Sequence, residues 1–134
     1  MAKRERASAQ LWLRIELGDG HRLGPGKVAL LERIDEHGSI SAAGRSMQMS
    51  YRRAWLLVES INASFREPVV VTQQGGSLGG GAVLTELGRE IVRRYREIEQ
   101  RALAAASESL HALAALRSTK AAPPAGRSVR RTRS

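Results

Sequence analysis

The sequence predicts a mainly α-helical fold with a small β component. Apolar residues recur at three- and four-residue spacing through most of the chain, which is the period of helices. Residues 11–17 instead alternate apolar and polar, as a half-buried strand does, and a glycine-rich stretch at 75–81 separates two short β-branched runs. A chain of 134 residues, 42% of them hydrophobic, has room for one domain with tails.

The charge of the chain indicates a polyanionic partner. The net charge is +9 and the isoelectric point is near 11.3. Residues 1–6 carry +2 and residues 118–134 carry +5, which leaves only +2 for the part that is expected to fold. The placement of individual arginines therefore matters more than their sum.

Composition also predicts where the protein works. The absence of cysteine excludes disulfides and thiolate metal sites, and is compatible with a reducing cytoplasm. No apolar run approaches the ~18 residues of a membrane span, and the basic N-terminus lacks the hydrophobic segment of an export signal. We expect no membrane association and a cytoplasmic, nucleoid-associated location.

The first third of the chain predicts two strands and a helix. After a disordered basic segment at 1–9, residues 11–17 form a strand, a turn follows at 18–20, and residues 21–23 return as a second strand. Pro25 suits the first turn of a helix that ends at His37, with Gly38 as a left-handed cap. The apolar stripe of that helix comprises Val28, Leu30, Leu31 and Ile34.

Residues 38–62 predict two short helices joined by a tight turn. Ser41 is expected to cap the first, Gln48 and Met49 to form the turn, and Ser50 to cap the second. On the second helix the inward face is predicted to hold Tyr51, Ala54, Trp55, Val58, Ile61 and Phe65. The outward face is predicted to hold Arg52, Arg53, Leu56, Glu59 and Ser60.

This pair of helices favours a helix-turn-helix whose second helix, residues 50–62, enters the major groove of DNA. The predicted DNA-contacting residues here are Ser41, Gln48, Ser50, Tyr51, Arg52 and Arg53. An ordinary helical hairpin with a solvated basic face remains the alternative. Leu56 is expected either to touch a thymine methyl group or to lie under the next hairpin.

A β-hairpin is predicted after Pro68, with strands at 69–73 and 82–84. Five of the seven residues at 75–81 are glycine, which lets backbone amides approach phosphates closely. As the wing of a winged helix-turn-helix, this hairpin is predicted to contact DNA through Gly75, Gly76, Ser77, Gly79, Gly80 and Gly81. The alternative is a hairpin tip that makes no contact with DNA. A nucleotide-binding loop is disfavoured, because the glycines are followed by a strand rather than a helix and by no Lys-Ser/Thr pair.

Residues 85–117 predict one long helix capped by Thr85. Its length exceeds what a small domain buries against itself, so we expect it to pair two copies of the chain. The predicted dimerisation residues are Ile91, Tyr95, Ile98, Ala102, Ala106, Leu110 and Leu113. The alternative is a helix packed back on its own domain. Residues 118–134 are predicted to be a disordered basic tail.

Catalysis is not expected. The three histidines are far apart and lack the spacing of metal ligands, and no serine lies in a nucleophile motif. We therefore predict no catalytic residues, no metal site and no cofactor.

From Leu11 to Gln100 the chain resembles the DNA-binding domain of the molybdate-responsive ModE regulators. The segments GSISAAGRSMQMSYRRAW and GGSLGGGAVLTELG carry the resemblance, together with Pro68 and its strand. It implies a LysR-type winged helix-turn-helix, at residues 10–84, and a dimerisation helix, at 85–117. About 35 residues follow Gln100 and show no strand pattern, so we expect a short form without the molybdate-binding domains of that family.

The predicted function is sequence-specific transcriptional regulation by a homodimer bound to an inverted repeat in double-stranded DNA. A link to molybdate or metal homeostasis is implied by the resemblance alone, and any effector is unknown. The alternative is a non-specific, architectural DNA-binding protein that relies on its basic tail.

Overall fold

The computed structural model describes residues 9–73 and 80–124. Those residues form four helices and four strands, so the prediction of a mainly helical fold with a small β component is confirmed. The elements, in chain order, are β1 (Ile15–Gly18), β2 (His21–Leu23), α1 (Pro25–His37), α2 (Ile40–Ser46), α3 (Tyr51–Ser64), β3 (Val70–Gln73), β4 (Gly81–Leu84) and α4 (Glu86–Ala115). None of the described helices is both long enough and apolar enough to cross a bilayer.

The first hairpin is shorter than the alternation predicted. β1 pairs antiparallel with β2 from Ile15 onward, whereas residues 11–14 form no regular strand. The alternation at 11–17 places Leu17 on the apolar, half-buried face of the predicted strand, but Leu17 is 45% exposed, because the pairing register shifts between Glu16 and Gly18. Such a bulge turns the following side chain away from its expected face. The tight turn itself forms as predicted, with positive φ at residues 18–20.

One hydrophobic core holds α1, α2 and α3 together. The predicted stripe of α1 is buried, and Ala54, Val58 and Ile61 of α3 lie in the same cluster. Gly38 ends α1 with φ of +78°, and its N–H donates to the carbonyl of Ile34 at 2.8 Å, as its predicted role requires. The periodicity of the sequence therefore identified the buried face of α1, and that of α3 from Ala54 onward.

The cap of α2 is Ser39, and the prediction of Ser41 was wrong. The Ser39 hydroxyl accepts a hydrogen bond from the amide of Ala42 at 3.0 Å, and the helix begins at Ile40. The left-handed turn at Gly38 leaves room for a single extended residue between α1 and α2, so the cap comes two positions early. Ser41 lies inside the first turn, where its hydroxyl accepts from the Arg45 guanidinium at 3.0 Å.

The second hairpin is joined to the point where α1 meets α2. β3 and β4 pair antiparallel from Val70–Leu84 to Gln73–Gly81. The amide of Ala82 donates to the carbonyl of Gly38 at 2.9 Å. A Cβ atom on Gly81 would lie 3.2 Å from that same carbonyl oxygen, so the strand approaches closely. Residues 74–79, which include most of the predicted wing tip, lie outside the described residues.

The start of α4 is anchored on the two residues that precede β3. Thr85 caps the helix as predicted, since its hydroxyl accepts from the amide of Gly88 at 3.0 Å; it also donates to the carbonyl of Pro68 at 2.8 Å. A Cβ atom on Gly88 would collide with the carbonyl oxygen of Val69. Only glycine therefore allows α4 to lie this close to β3.

Two side chains on α4 bind back to the domain. The hydroxyl of Tyr95 donates to the carbonyl of Leu13, and burial raises the pKa of this phenol. Arg96 forms two hydrogen bonds with Glu32 of α1, at 3.0 and 2.8 Å, and one with Glu99 at 2.7 Å. The bonds to Glu32 raise the pKa of Arg96 further. Residues Leu11–Ala105 form one compact unit; α4 continues into a second unit that begins at Ala106.

Candidate nucleic-acid interface

A tight turn fixes α3 relative to α2. A Cβ atom on Gly44 would lie only 2.9 Å from the Cβ of Ala54, so the two helices cross in close contact. The Gly44 carbonyl accepts from the amides of Met47 and Met49, both at 3.0 Å, and Gln48 has a φ of +60°. The prediction that Gln48 lies in the turn is confirmed. This close crossing holds the N-terminus of α3 in one place.

The N-terminus of α3 carries its own cap and an aromatic pair. The Ser50 hydroxyl accepts from the amide of Arg53 at 3.1 Å, so the predicted cap is confirmed. Tyr51 stacks on Trp55 with ring centroids 6.5 Å apart and planes 15° apart. Tyr51 was predicted to face inward but is 58% exposed, because it lies in the first turn, before the buried face begins at Ala54.

Two arginines on the outward face of α3 have no partner among the residues that the structure describes. Arg52 and Arg53 are exposed, and among the described residues neither side chain forms an ion pair or hydrogen bond. On α4, Arg94, Arg96 and Arg101 each pair with a glutamate, whereas Arg93 pairs with no carboxylate among the described residues. The first turn of α3 also lacks acidic residues. Cations near a helix N-terminus oppose the helix dipole by roughly 0.3–1 kcal/mol each, and a bound anion would offset that cost.

Asn62 fixes the second hairpin against α3. Its carbonyl oxygen accepts from the amides of Val69 at 2.7 Å and Val70 at 3.0 Å, and its NH₂ donates to the carbonyl of Val70 at 3.1 Å. Sequence reasoning treated Asn62 only as the end of the helix. The sequence does contain a feature that could have indicated this role: Asn62 carries an amide side chain in the last turn of the helix, six residues before Pro68, which precedes a strand.

The other predicted DNA-contacting residues have different surroundings. Gln48 is exposed in the turn, Ser41 is half-buried, Gly80 is exposed and Gly81 is half-buried. Gly75, Gly76, Ser77 and Gly79 lie outside the described residues. The structure thus groups Gln48 with residues 50–53 around the N-terminus of α3.

The predicted dimerisation stripe on α4 divides into two parts. Ile91 and Tyr95 are 7% and 1% exposed, because they pack in the core of their own domain rather than presenting a surface to a second copy. Ile98 is 45% exposed and Ala102 is half-buried. Beyond the compact unit, Ala106 and Leu110 are half-buried and Leu113 is 63% exposed.

Metal ligands are not grouped in the part of the chain that the structure describes: no three His, Cys, Asp or Glu side chains there could hold one ion. His21, the first residue of β2, is half-buried, with its Nδ1 atom 3.1 Å from the Ser64 hydroxyl. The chemistry that this surface offers is therefore cationic and hydrogen-bonding.

Comparison with known proteins connects this chain to molybdenum regulators. No protein-family model matches the sequence. It is 46% identical to the molybdenum-pterin-binding protein MopB of Rhodobacter capsulatus over 80 residues, which is 60% of this chain and 30% of MopB. It is 41% identical to the molybdenum transport protein ModE of Azotobacter vinelandii over 95 residues, 69% of this chain and 35% of that protein.

The DNA-binding transcriptional dual regulator ModE of Escherichia coli K12 is 32% identical over 97 residues, 70% of this chain and 37% of that regulator. These relatives support a ModE-like family. The chain spans only about a third of the length of these relatives. None of the three is named as an enzyme.

Proposed function

We propose that this ModE-like chain is a sequence-specific DNA-binding transcriptional regulator that acts as a homodimer. In this proposal α3 enters the major groove and residues 75–81 contact the phosphate backbone. The observation that carries it is the pair of exposed guanidinium groups at the N-terminus of α3, Arg52 and Arg53, which have no acidic partner in the described part of the chain. In helix-turn-helix proteins the N-terminal residues of the second helix contact base edges.

Specific recognition requires that these arginines be held in a fixed position. The Gly44–Ala54 contact fixes α3 against α2, and Asn62 fixes the hairpin against α3. A rigid helix can aim Arg52 or Arg53 at the O6 and N7 atoms of guanine, the commonest specific contact in DNA recognition. Gln48, Ser50 and Tyr51 are assigned to phosphates beside that base pair, and Ser41 and the glycines of residues 75–81 to the flanking backbone.

The proposed dimer uses the part of α4 beyond the domain core. Ile98 and Leu113 are substantially exposed, and Ala102, Ala106 and Leu110 recur between them at helical spacing. Small alanine side chains allow two helices to approach closely. A twofold dimer would present two copies of α3, which predicts an inverted repeat as the DNA site.

The link to molybdenum rests on the names of the relatives. We propose that the regulated genes serve molybdenum handling, in a cytoplasmic, nucleoid-associated regulator. Calorimetric titration of this chain with molybdate tests whether the chain itself senses the oxyanion: heat at micromolar concentrations would assign sensing to this chain, and no heat would assign it to another component.

The second candidate function is non-specific, architectural DNA binding. It is favoured by the charge distribution, since residues 118–134 carry +5 of the total +9. Phosphate contacts alone give affinity without sequence preference, and that affinity falls steeply with salt. Deleting residues 118–134 separates the two functions, because only the architectural function would disappear with the tail.

Selection of bound duplexes from a random pool, at about 150 mM salt with and without molybdate, tests the main proposal. Enrichment of an inverted repeat is expected, and no enrichment would overturn sequence-specific binding. The Arg52→Ala variant should then lose affinity for the selected site by about 10-fold or more, and for random DNA by much less. Arg101→Ala, which removes an equal charge from a residue paired with Glu97, is the matched control.

Sedimentation tests the dimer. The double variant Ile98→Glu/Leu113→Glu should dissociate to monomers, because it places four carboxylates in the proposed interface. Glu substitution at Ala104, an exposed position on the opposite face of α4, should leave the dimer intact. A wild-type chain that sediments as a monomer at micromolar concentration would contradict the proposed interface.

A further inference from the structure

Leu56 is a large apolar side chain on the outward face of α3. It is 49% exposed, whereas its neighbour Leu57 packs against the hydrophobic core. The groove between α3 and β3 is lined by Trp55, Glu59 and Asn62 on the α3 side, and Leu56 does not contribute to it. Among the described residues, Leu56 therefore lies outside the groove between α3 and β3.

The position of Leu56 lies between those of the two unpaired arginines. At 100° per residue, Leu56 is about 40° around the helix from Arg52 and about 60° from Arg53. It follows Arg52 by four residues, a rise of about 6 Å along the helix axis. A surface that contacts both arginines and continues along the same face of α3 would therefore also cover Leu56.

Burying Leu56 against DNA is favourable only where DNA is apolar. The edges of the bases in the major groove present donors and acceptors, with one apolar group among them, the C5-methyl group of thymine. Phosphates, sugars and water would leave the isobutyl group without a favourable partner. The groove chemistry thus selects one kind of base for this side chain.

We propose that Leu56 is a specificity-determining residue that contacts the C5-methyl group of a thymine in the DNA site. This inference rests on the proposed function. The base pairs of B-DNA are about 3.4 Å apart, so a rise of about 6 Å places that thymine within about two base pairs of the base that Arg52 contacts. Leu56 reads the methyl group while Arg52 reads a hydrogen-bonding edge.

Replacement of thymine by uracil tests this inference, because the exchange removes only the methyl group. Each thymine of the duplex selected by the wild-type chain is replaced in turn in synthetic DNA, which contains no 5-methylcytosine. We expect one of these replacements to weaken the affinity of the wild-type chain about three- to fivefold, the effect of one buried methyl group. That thymine should lie within two base pairs of the guanine that the Arg52→Ala variant no longer distinguishes from other bases.

Variants then assign that loss to Leu56. The Leu56→Ala variant is expected to bind the thymine and uracil duplexes with equal affinity. Alanine has a high helix propensity, so the substitution should not destabilise α3. Leu56→Met should retain most of the discrimination, because it keeps an apolar side chain of similar length. Leu17→Ala, a truncation at a leucine of similar exposure on β1, should discriminate as the wild type does.

Two results would overturn the inference in distinguishable ways. If the wild-type chain selects a site but Leu56→Ala keeps the full uracil penalty, Leu56 does not read the methyl group, and the proposed function stands. If the wild-type chain selects no site, the proposed function fails and the inference fails with it. Circular dichroism of each variant confirms that it is folded; if Leu56→Ala is not, Leu56→Gln is substituted in the same comparison.

Discussion

Replacing Asn62 by alanine removes the side chain that joins α3 to the hairpin. The wild-type amide makes three hydrogen bonds, of 2.7, 3.0 and 3.1 Å, to backbone groups of Val69 and Val70. Alanine leaves these groups without that partner in a half-buried region. We expect a loss of stability and a hairpin that is no longer held in a fixed position.

The expected loss follows from the number of bonds. Each intramolecular hydrogen bond contributes about 0.5–1.5 kcal/mol net, so three sum to about 3 kcal/mol. Alanine recovers about 0.5 kcal/mol through its higher helix propensity. Water also reaches part of the site and replaces some of the lost hydrogen bonds, which reduces the loss further. The free energy of unfolding should therefore fall by about 2 kcal/mol, a substantial share of the ~5–15 kcal/mol typical of a domain.

Urea denaturation followed by circular dichroism measures that free energy. Ser60→Ala is the matched control, since Ser60 is an exposed polar residue of the same helix whose hydroxyl accepts one long bond, of 3.3 Å, from Lys27. Hydrogen exchange at the amides of Val69 and Val70 should also accelerate in Asn62→Ala. A loss no larger than that of Ser60→Ala, with unchanged exchange, would refute the assigned role.

Three further perturbations test other parts of the fold. Gly88→Ala should lower the free energy of unfolding by about 1–3 kcal/mol, because the added Cβ collides with the Val69 carbonyl. In the same denaturation assay, Gly26→Ala is the control and should be neutral or stabilising, because nothing lies within 4 Å of the added atom. Ser39→Ala should cost about 1 kcal/mol and Ser41→Ala much less, and the reverse order would restore Ser41 as the cap. Burial raises the pKa of Tyr95, so the phenol loses its proton at lower pH in the unfolded chain than in the folded one, and the stability that Tyr95 contributes declines as pH rises above 10. In thermal melts between pH 8 and 11, the Tyr95→Phe variant should lack that decline. A variant with the same pH profile as the wild type would contradict this role of Tyr95.

The sequence predicted best those features that depend on neighbouring residues. The stripe of α1, its Gly38 end and the caps at Ser50 and Thr85 follow from helical period and from local backbone chemistry. The outward face of α3 followed from the same period. Most of the proposed DNA-contacting surface was therefore visible in residues 48–53 without a structure.

Features set by distant contacts were missed. The choice between Ser39 and Ser41 depended on the left-handed turn at Gly38, and both serines suit a cap by type. The apolar stripe of α4 does not itself reveal that Tyr95 bonds to the carbonyl of Leu13, 82 residues away, and so belongs to the core. Asn62 likewise binds a strand that periodicity alone could not position.

The joint at Gly38 has a consequence for protein engineering. One glycine ends α1, directly precedes the cap of α2, and accepts the amide of Ala82 from β4. An inserted residue there would displace three elements at once, so a reporter or affinity tag placed at this point should abolish folding. The turn around Asp19 is exposed, and added atoms at its flanking glycines meet nothing within 4 Å. Such loop tips tolerate insertions, which makes residues 18–20 the place to attach a fluorescent or capture module while leaving α3 untouched.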